Sequence, residues 1–150
     1  MLVIGVGNPY RRDDAAGLIA ARRLGAAAPG LVLVREESGE GAALLEAWEG
    51  ADAVIVLDAV CSGAPPGTIR RIDAHRETIP TEVFHSSTHA FNVAEAIELA
   101  RVLRRLPRRL IVFGVEGAHF DAGLGLSPPV ERAVERLVKC GLEELHHTGG

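Results

Sequence analysis

Short apolar runs alternate with amphipathic stretches along the whole chain, and this alternation limits the fold more than any other feature. Three continuous apolar runs predict buried strands, at Leu2–Val6, Ala53–Leu57 and Leu110–Val115. Strands that are apolar on both faces are typical of parallel sheets, because helices cover both sides of such sheets. The sequence therefore predicts an α/β fold, a single-domain three-layer sandwich whose mostly parallel sheet has roughly five strands.

Helical periodicity and capping residues predict the remaining elements. Two weaker strand patterns lie at Leu31–Val34, which we expect at an edge of the sheet, and at Thr68–Ile72. Helical patterns lie at Asp14–Gly25, Gly41–Trp48, about Phe91–Leu106, and from Pro128 onward with Ser127 as the N-cap. Asn92 and Glu95 fit a capping box at the start of the third helix.

Composition restricts the class of protein. The 150 residues show no linker or repeat, so we expect one domain over residues 1–150. A net charge of −4 argues against a nucleic-acid partner. No apolar segment reaches the roughly 18–20 residues that span a bilayer, and Met1 leads directly into strand-like residues rather than a signal peptide. The distant cysteines Cys61 and Cys140 fit a reduced compartment. We therefore expect a cytoplasmic protein without a membrane partner, and a monomer by default.

Acidic residues follow several of the predicted strands. The first strand breaks into a glycine turn, after which Asp13 and Asp14 stand at the head of a helical pattern. One of these acids can cap the helix, and the other is then free to act as a ligand or base. Asp58 follows the third strand, and Glu116 follows the last one. Because the carboxyl ends of parallel strands share one edge, Asp14, Asp58 and Glu116 should lie together there.

Histidines complete this candidate site. His85 and His89 precede the third predicted helix. Two carboxylates and one imidazole from separate elements suit a divalent transition metal with open coordination positions. The sequence His85–His89 lacks the glutamate of a zincin protease, and Tyr10 stands where a dinucleotide fingerprint needs its third glycine.

Each of these residues also has a purely structural interpretation. Asp13 can cap a helix, Asp58 can be a turn acid, and Glu116 can be a plain strand-end acid. His89 can bond to the backbone, His85 can be a loop residue, and Cys61 can be a partly buried, inert thiol. The sequence also places a basic cluster at a helix end, which either complements the helix dipole or docks an acidic partner. Its members are Arg101, Arg104, Arg105, Arg108 and Arg109.

Four ordered blocks resemble the hydrogenase maturation proteases, the endopeptidases that trim the large subunit of nickel-iron hydrogenases. The blocks are GVGNPYRRDDAAG (5–17), VIVLDAV (54–60), STHAF (87–91) and GVEG (114–117), and the SPPV segment (127–130) also fits. The resemblance implies an α/β sheet between helices, and a metal site formed by Asp14, Asp58 and His89. The family often has glutamate at the position of Asp14, and aspartate is one methylene shorter.

The resemblance also implies an activity. Such an enzyme, an endopeptidase of aspartyl or metal-dependent type, acts on a large-subunit precursor that already carries nickel. Asp14, Asp58 and His89 would contact this substrate nickel and position the C-terminal extension for cleavage. They are also the catalytic candidates, with the general base left open between Asp14 and Asp58. No nucleotide is implied.

Two other functions compete with this one. Peptidyl-tRNA hydrolases share a similar opening, but here Arg12 is followed by Asp13 and Asp14, and the acidic charge disfavours tRNA. A non-catalytic metal-binding assembly chaperone would keep the same three ligands without cleaving anything. Processing of a precursor separates the enzyme from the chaperone.

Overall fold

The strands and helices alternate as the sequence predicts. The computed structural model describes residues 1–79 and 92–148, with side chains to residue 146. The strands are β1 (Leu2–Val6), β2 (Leu33–Glu37), β3 (Ala53–Val60), β4 (Ile69–Asp73) and β5 (Arg109–Glu116). The helices are α1 (Ala16–Ala27), α2 (Gly41–Trp48), α3 (Val93–Val102) and α4 (Pro128–Thr148), and a 3-10 turn (Arg12–Ala15) precedes α1.

The five strands form one sheet in the order β2-β1-β3-β5-β4. All neighbouring pairs are parallel except β4 and β5, which are antiparallel. The predicted α/β class with a mostly parallel sheet is therefore confirmed, including the edge position of β2. Because β1, β3 and β5 run in the same direction, they all end at one edge of the sheet, which we call the carboxyl edge.

Two hydrophobic layers cover the sheet. On one face, Leu44 and Trp48 of α2 and Ile97 of α3 pack in a cluster that includes alternate residues of β1, β3 and β5. On the other face, Leu24 of α1 and Leu137 of α4 belong to a second cluster. This arrangement confirms the predicted three-layer sandwich. Among the described residues, no helix is both long and apolar enough to cross a membrane.

Several element boundaries differ from the predicted ones. Strand β3 does not stop at Leu57 but continues to Val60, because its pairing with β5 runs on to the register Val60–Glu116. Strand β2 starts two residues late and includes charged residues, since it is an edge strand. Helix α3 ends at Val102 rather than Leu106, and Arg104 there has a left-handed backbone with φ of 57°. Asn92 caps α3 as predicted, with Oδ1 accepting from the Glu95 N–H at 3.0 Å.

The start of α1 lies directly against the ends of two strands. A Cβ placed on Gly17 would stand 2.2 Å from the carbonyl oxygen of Leu57 and 2.8 Å from that of Val6. Only a residue without a side chain allows this approach. The contact brings the 3-10 turn, and with it Asp13 and Asp14, beside the part of β3 that carries Asp58.

Candidate active site at the carboxyl edge of the sheet

Asp14 and Asp58 converge at the carboxyl edge. Asp14 is half-buried in the 3-10 turn, and its Oδ2 accepts a hydrogen bond from the Asn8 N–H at 2.9 Å. Asp58 is 6% exposed and lies inside β3, opposite Gly114 of β5. Asp58 is therefore not the turn acid that the sequence left open, but a buried carboxylate within a central strand. The two acids are close enough for the charge of Asp14 to act on Asp58.

The electrostatics of this pair favour a positive partner. Burial raises the pKa of Asp58 well above its ordinary value, and the negative charge of Asp14 raises it further, against one backbone hydrogen bond at Ala59. Burial also raises the pKa of Asp14, which the Asn8 hydrogen bond and the charge of Arg11 offset only in part. Two desolvated carboxylates that repel each other are stabilised by a shared cation. Their oxygen donors therefore fit a metal ion.

The third predicted ligand cannot be placed. His89 and His85 lie outside the described residues, as does the STHAF block (87–91). Within residues 1–79 and 92–148, no group of three His, Cys, Asp or Glu side chains could hold a metal ion. The described part of the chain thus supplies two of the three predicted side chains, and His89 stays a prediction.

Asp13 is a structural anchor and not a helix cap. Its side chain is fully buried, and Oδ2 accepts from the N–H groups of Ala118 at 2.8 Å and His119 at 2.9 Å. Ser127 donates its N–H to Oδ1 and its hydroxyl to Oδ2, both at 2.7 Å. Burial alone raises the pKa of Asp13, but the hydrogen bonds from Ser127, His119 and Ala118 outweigh it and lower the pKa overall.

The prediction that one of the two acids caps α1 is therefore wrong. In the described structure α1 begins without a side-chain cap, because the preceding 3-10 turn continues directly into it. Asp13 instead joins the first turn to the loop between β5 and α4. Its partners lie 105 to 114 positions away, so no local sequence pattern could have indicated them.

Glu116 reaches the same edge but serves the neighbouring loop. It is buried at the end of β5, and its Oε2 accepts from the Ser62 N–H at 2.9 Å. The Ser62 hydroxyl donates to Oε1. This confirms the structural interpretation of Glu116 as a strand-end acid. The adjacent Cys61 is exposed, so the prediction of a partly buried thiol is wrong there, because the chain leaves the sheet after Val60.

The predicted basic cluster is divided between separate contacts. Arg101 pairs with Glu98 one turn earlier on α3, at 3.1 Å. Arg109 lies on β5 and pairs with the buried Glu144 of α4, to which Arg71 of β4 also bonds at 2.6 Å. Arg104, Arg105 and Arg108 are exposed near the end of α3. The cluster is therefore not a single patch of free positive charge.

Comparison with known proteins identifies the family to which this chain and its fold belong. The model of the hydrogenase maturation protease family matches residues 32–144. The Hydrogenase 2 maturation protease of Escherichia coli K12 is 28% identical over 153 residues, covering 99% of this chain and 92% of that protein. The hydrogenase expression/formation protein HupD of Thiocapsa roseopersicina is 28% identical over 152 residues, covering 99% and 69% respectively.

A solved structure agrees with these sequence relatives. The hydrogenase maturating endopeptidase HybD from Escherichia coli superimposes with a TM-score of 0.83 at 26% identity, covering 99% of this chain and 93% of that one. The matched family residues 32–144 include Asp58, and the superimposed structure covers 99% of this chain. The chain therefore belongs to the hydrogenase maturation protease family and is an enzyme, a hydrolase that matures hydrogenases.

Proposed function

We propose that this protein cleaves the C-terminal extension from the nickel-loaded precursor of a nickel-iron hydrogenase large subunit. The observation that carries the proposal is the Asp14–Asp58 pair, two carboxylates with raised pKa values at the carboxyl edge of the sheet. Such a pair has electrostatic reason to bind a cation, and a cation that belongs to the substrate would report that the substrate is loaded. In this proposal the metal belongs to the substrate and is not a resident cofactor, and no nucleotide takes part.

The chemistry assigns different tasks to the residues. Asp14, Asp58 and His89 would contact the substrate nickel and hold the scissile peptide bond beside it. The nickel would polarise the scissile carbonyl or activate a water. Hydrolysis then adds water to the carbonyl carbon, breaks the C–N bond and leaves a proton on the departing amine. Asp14 or Asp58 would carry the proton, and half-buried Asp14 is the more accessible to water.

The setting of the reaction follows the same proposal. Cys61 and Cys140 are free thiols, which supports a reducing cytoplasm as the site of action. The partner is the hydrogenase precursor, and we expect the enzyme to act as a monomer without nucleic acid or membrane.

A cleavage assay tests the proposal. Wild-type protein and the variants Asp14→Asn, Asp58→Asn and His89→Ala are mixed with nickel-loaded precursor, and mass spectrometry follows the loss of the extension. We expect each variant to cleave at least about 100-fold more slowly, since each loses a contact made at the reacting centre. Asp52→Asn is the matched control, because Asp52 is an exposed acid just before β3, at the opposite edge of the sheet.

The outcomes separate the candidate functions. Wild-type rates in all three variants would remove the site assignment. Tight binding of the loaded precursor without any cleavage by the wild-type protein would instead establish the assembly chaperone. The peptidyl-tRNA hydrolase alternative has no support from the family match or from the buried, fully bonded Asp13 that follows Arg12.

A further inference from the structure

Two large hydrophobic side chains are exposed beside the candidate active site. Tyr10 is 70% exposed and Leu124 is 77% exposed. Tyr10 precedes the 3-10 turn that carries Asp14, and Leu124 belongs to the loop that leads from β5 to α4. The other exposed large hydrophobic residues of the described chain lie at the opposite edge of the sheet, near the start of β2 and the end of α3. They are Leu31, Leu33, Leu99, Val102 and Leu103.

The two loops that carry Tyr10 and Leu124 are bonded to each other. The Gly123 N–H donates to the Tyr10 carbonyl at 2.9 Å, and the Arg12 N–H donates to the Gly123 carbonyl at 3.1 Å. These bonds form an isolated parallel bridge between Arg11 and Gly123. The Arg11 Nε also donates to the Phe120 carbonyl at 3.0 Å. Tyr10 lies one residue before the bridged Arg11, and Leu124 lies one residue after the bridged Gly123, so the bridge holds the two loops together with these residues at diagonal positions across it.

The same loops are attached to the buried anchor. Asp13 accepts hydrogen bonds from Ala118, His119 and Ser127, which bracket the loop containing Leu124. The backbone that carries the exposed Tyr10 and Leu124 is held by these bonds, so it is preformed and does not need to be ordered on binding. A preformed surface costs less conformational entropy when a partner covers it.

Hydrogen bonds also connect this surface to the reacting centre. The Tyr10 N–H donates to Asn8 Oδ1 at 2.9 Å, and the Asn8 N–H donates to Asp14 Oδ2 at 2.9 Å. One residue, Asn8, therefore links the backbone of Tyr10 to the carboxylate of Asp14, through its side-chain oxygen and its backbone N–H. An extended peptide advances roughly 3.3–3.6 Å per residue, so residues a few positions from a bond cleaved at Asp14 reach this surface.

We infer that Tyr10 and Leu124 form a docking platform for an apolar segment of the hydrogenase precursor, within a few residues of the cleaved bond. The inference rests on the proposed function, and it adds a specificity element that the metal contacts do not provide. The nickel contacts report that the precursor is loaded, whereas the platform selects which chain is presented. The occupant is the substrate polypeptide, because Tyr10 is bonded through Asn8 to Asp14, at the carboxyl edge where the proposed function places the substrate.

Steady-state cleavage of the loaded precursor tests the platform. The variants are Tyr10→Ser, Leu124→Ser and the double variant, and Tyr10→Leu is the conservative variant that restores an apolar side chain. We expect the double variant to raise KM about tenfold, the effect of truncating a buried contact side chain, with kcat within about twofold. Tyr10→Leu should keep KM near the wild-type value.

Leu31→Ser and Leu33→Ser are the matched controls, because these leucines are 65% and 68% exposed at the opposite edge of the sheet. Their KM should equal that of the wild type, and thermal unfolding should show that all variants fold. A wild-type KM in the double variant would overturn the platform while leaving the proposed function standing. If the double variant instead lost self-association while its KM stayed unchanged, the platform would be an interface between two copies of the chain, and the inference would also be overturned. Absence of cleavage by the wild-type protein would defeat the proposed function, and the platform with it.

Discussion

Asp13 and Asp14 are neighbours in the sequence and carry the same carboxyl group, yet their surroundings are opposite. Asp13 is fully buried and accepts four hydrogen bonds, which lower its pKa. Asp14 is half-buried, and this burial raises its pKa, because the bond from the Asn8 N–H and the charge of Arg11 offset it only in part. Burial alone does not decide what a carboxylate does, because the donors that accompany it decide whether it stabilises the fold or remains reactive.

The surroundings of Asp13, which we call the Asp13 pocket, stabilise the fold. The surroundings of Asp14 and Asp58, which we call the Asp14–Asp58 pocket, leave the two acids reactive. The Asp13 pocket joins the first turn to the loop before α4. Burial of the Asp13 charge costs free energy, and the hydrogen bonds from its donors offset that cost. The Asp14–Asp58 pocket brings two like charges together with fewer donors in the described structure, the Asn8 N–H at Asp14 and a backbone hydrogen bond at Ala59 for Asp58, which do not outweigh the burial of either acid. Groups with perturbed pKa values of this kind are typical of functional sites. The predictions below test this division.

The largest effect on stability is expected from Asp13→Ala. The change leaves three backbone N–H groups and one hydroxyl without their acceptor in a buried pocket, so we expect the free energy of unfolding to fall by about 4 kcal/mol. Asp14→Asn, one residue away, should change it by less than about 1 kcal/mol, since the amide keeps the shape and removes charge repulsion. Urea unfolding of both variants measures the difference. Equal losses of unfolding free energy in the two variants would contradict the separate roles given to Asp13 and Asp14.

A smaller, pH-dependent effect is expected at Glu144, a second buried carboxylate with its own donors. Burial raises the pKa of Glu144, but the hydrogen bonds and charges of Arg71 and Arg109 outweigh this and lower it overall. Its folded pKa therefore lies below the unfolded value, so its stabilisation is present above about pH 4.5 and is lost as the pH falls through the folded pKa.

Glu144→Gln checks this behaviour. The variant should unfold with a free energy about 2 kcal/mol lower at pH 7, because it loses two charged hydrogen bonds. The difference from the wild type should shrink when unfolding is repeated at successively lower pH below 4.5. Glu143→Gln, an exposed neighbour on α4, is the control and should show neither effect. A difference that grows on acidification would mean the sign of the shift is wrong.

The smallest effect is expected from Ser127→Ala, which sharpens the comparison within the Asp13 pocket. The variant removes the hydroxyl donor at 2.7 Å but keeps the Ser127 N–H and the other two backbone donors. We expect a loss of about 1 kcal/mol in the free energy of unfolding, the usual contribution of one hydrogen bond. Cleavage should be retained, because the hydroxyl does not bond to Asp14. Loss of cleavage in a folded variant would show that the two pockets are coupled.

Much of the fold could be predicted from local patterns. The buried strands β1, β3 and β5 are continuous apolar runs, and α2 occupies the predicted Gly41–Trp48 because its apolar residues repeat at helical spacing. The end of β3 at Val60 is not indicated by the sequence, since a polar Asp58 is expected to terminate the strand. Pairing with β5 overrides that expectation, because the backbone hydrogen bonds of a ladder do not depend on the side chain.

The site was predictable only in part, for a similar reason. The parallel strands indicated that Asp14 and Asp58 would share an edge, and the structure brings them together. The role of Asp13 depends on donors from a distant loop, so adjacent identical acids could not be distinguished by sequence. The sequence distinguishes Tyr10 only as a residue that breaks a glycine fingerprint. Its exposure and its bridge to Gly123 are tertiary properties.

The contact of Gly17 with the Leu57 and Val6 carbonyls has a consequence for how such an enzyme can be altered. The backbone of α1 contacts the backbones of β1 and β3 directly at this point, so the distance between the helix and these strands does not depend on the size of any side chain. An engineer could redesign much of the hydrophobic interior and still keep the two acids in the same relative position. Adding a single methyl group to this glycine would instead shift one acid away from the other.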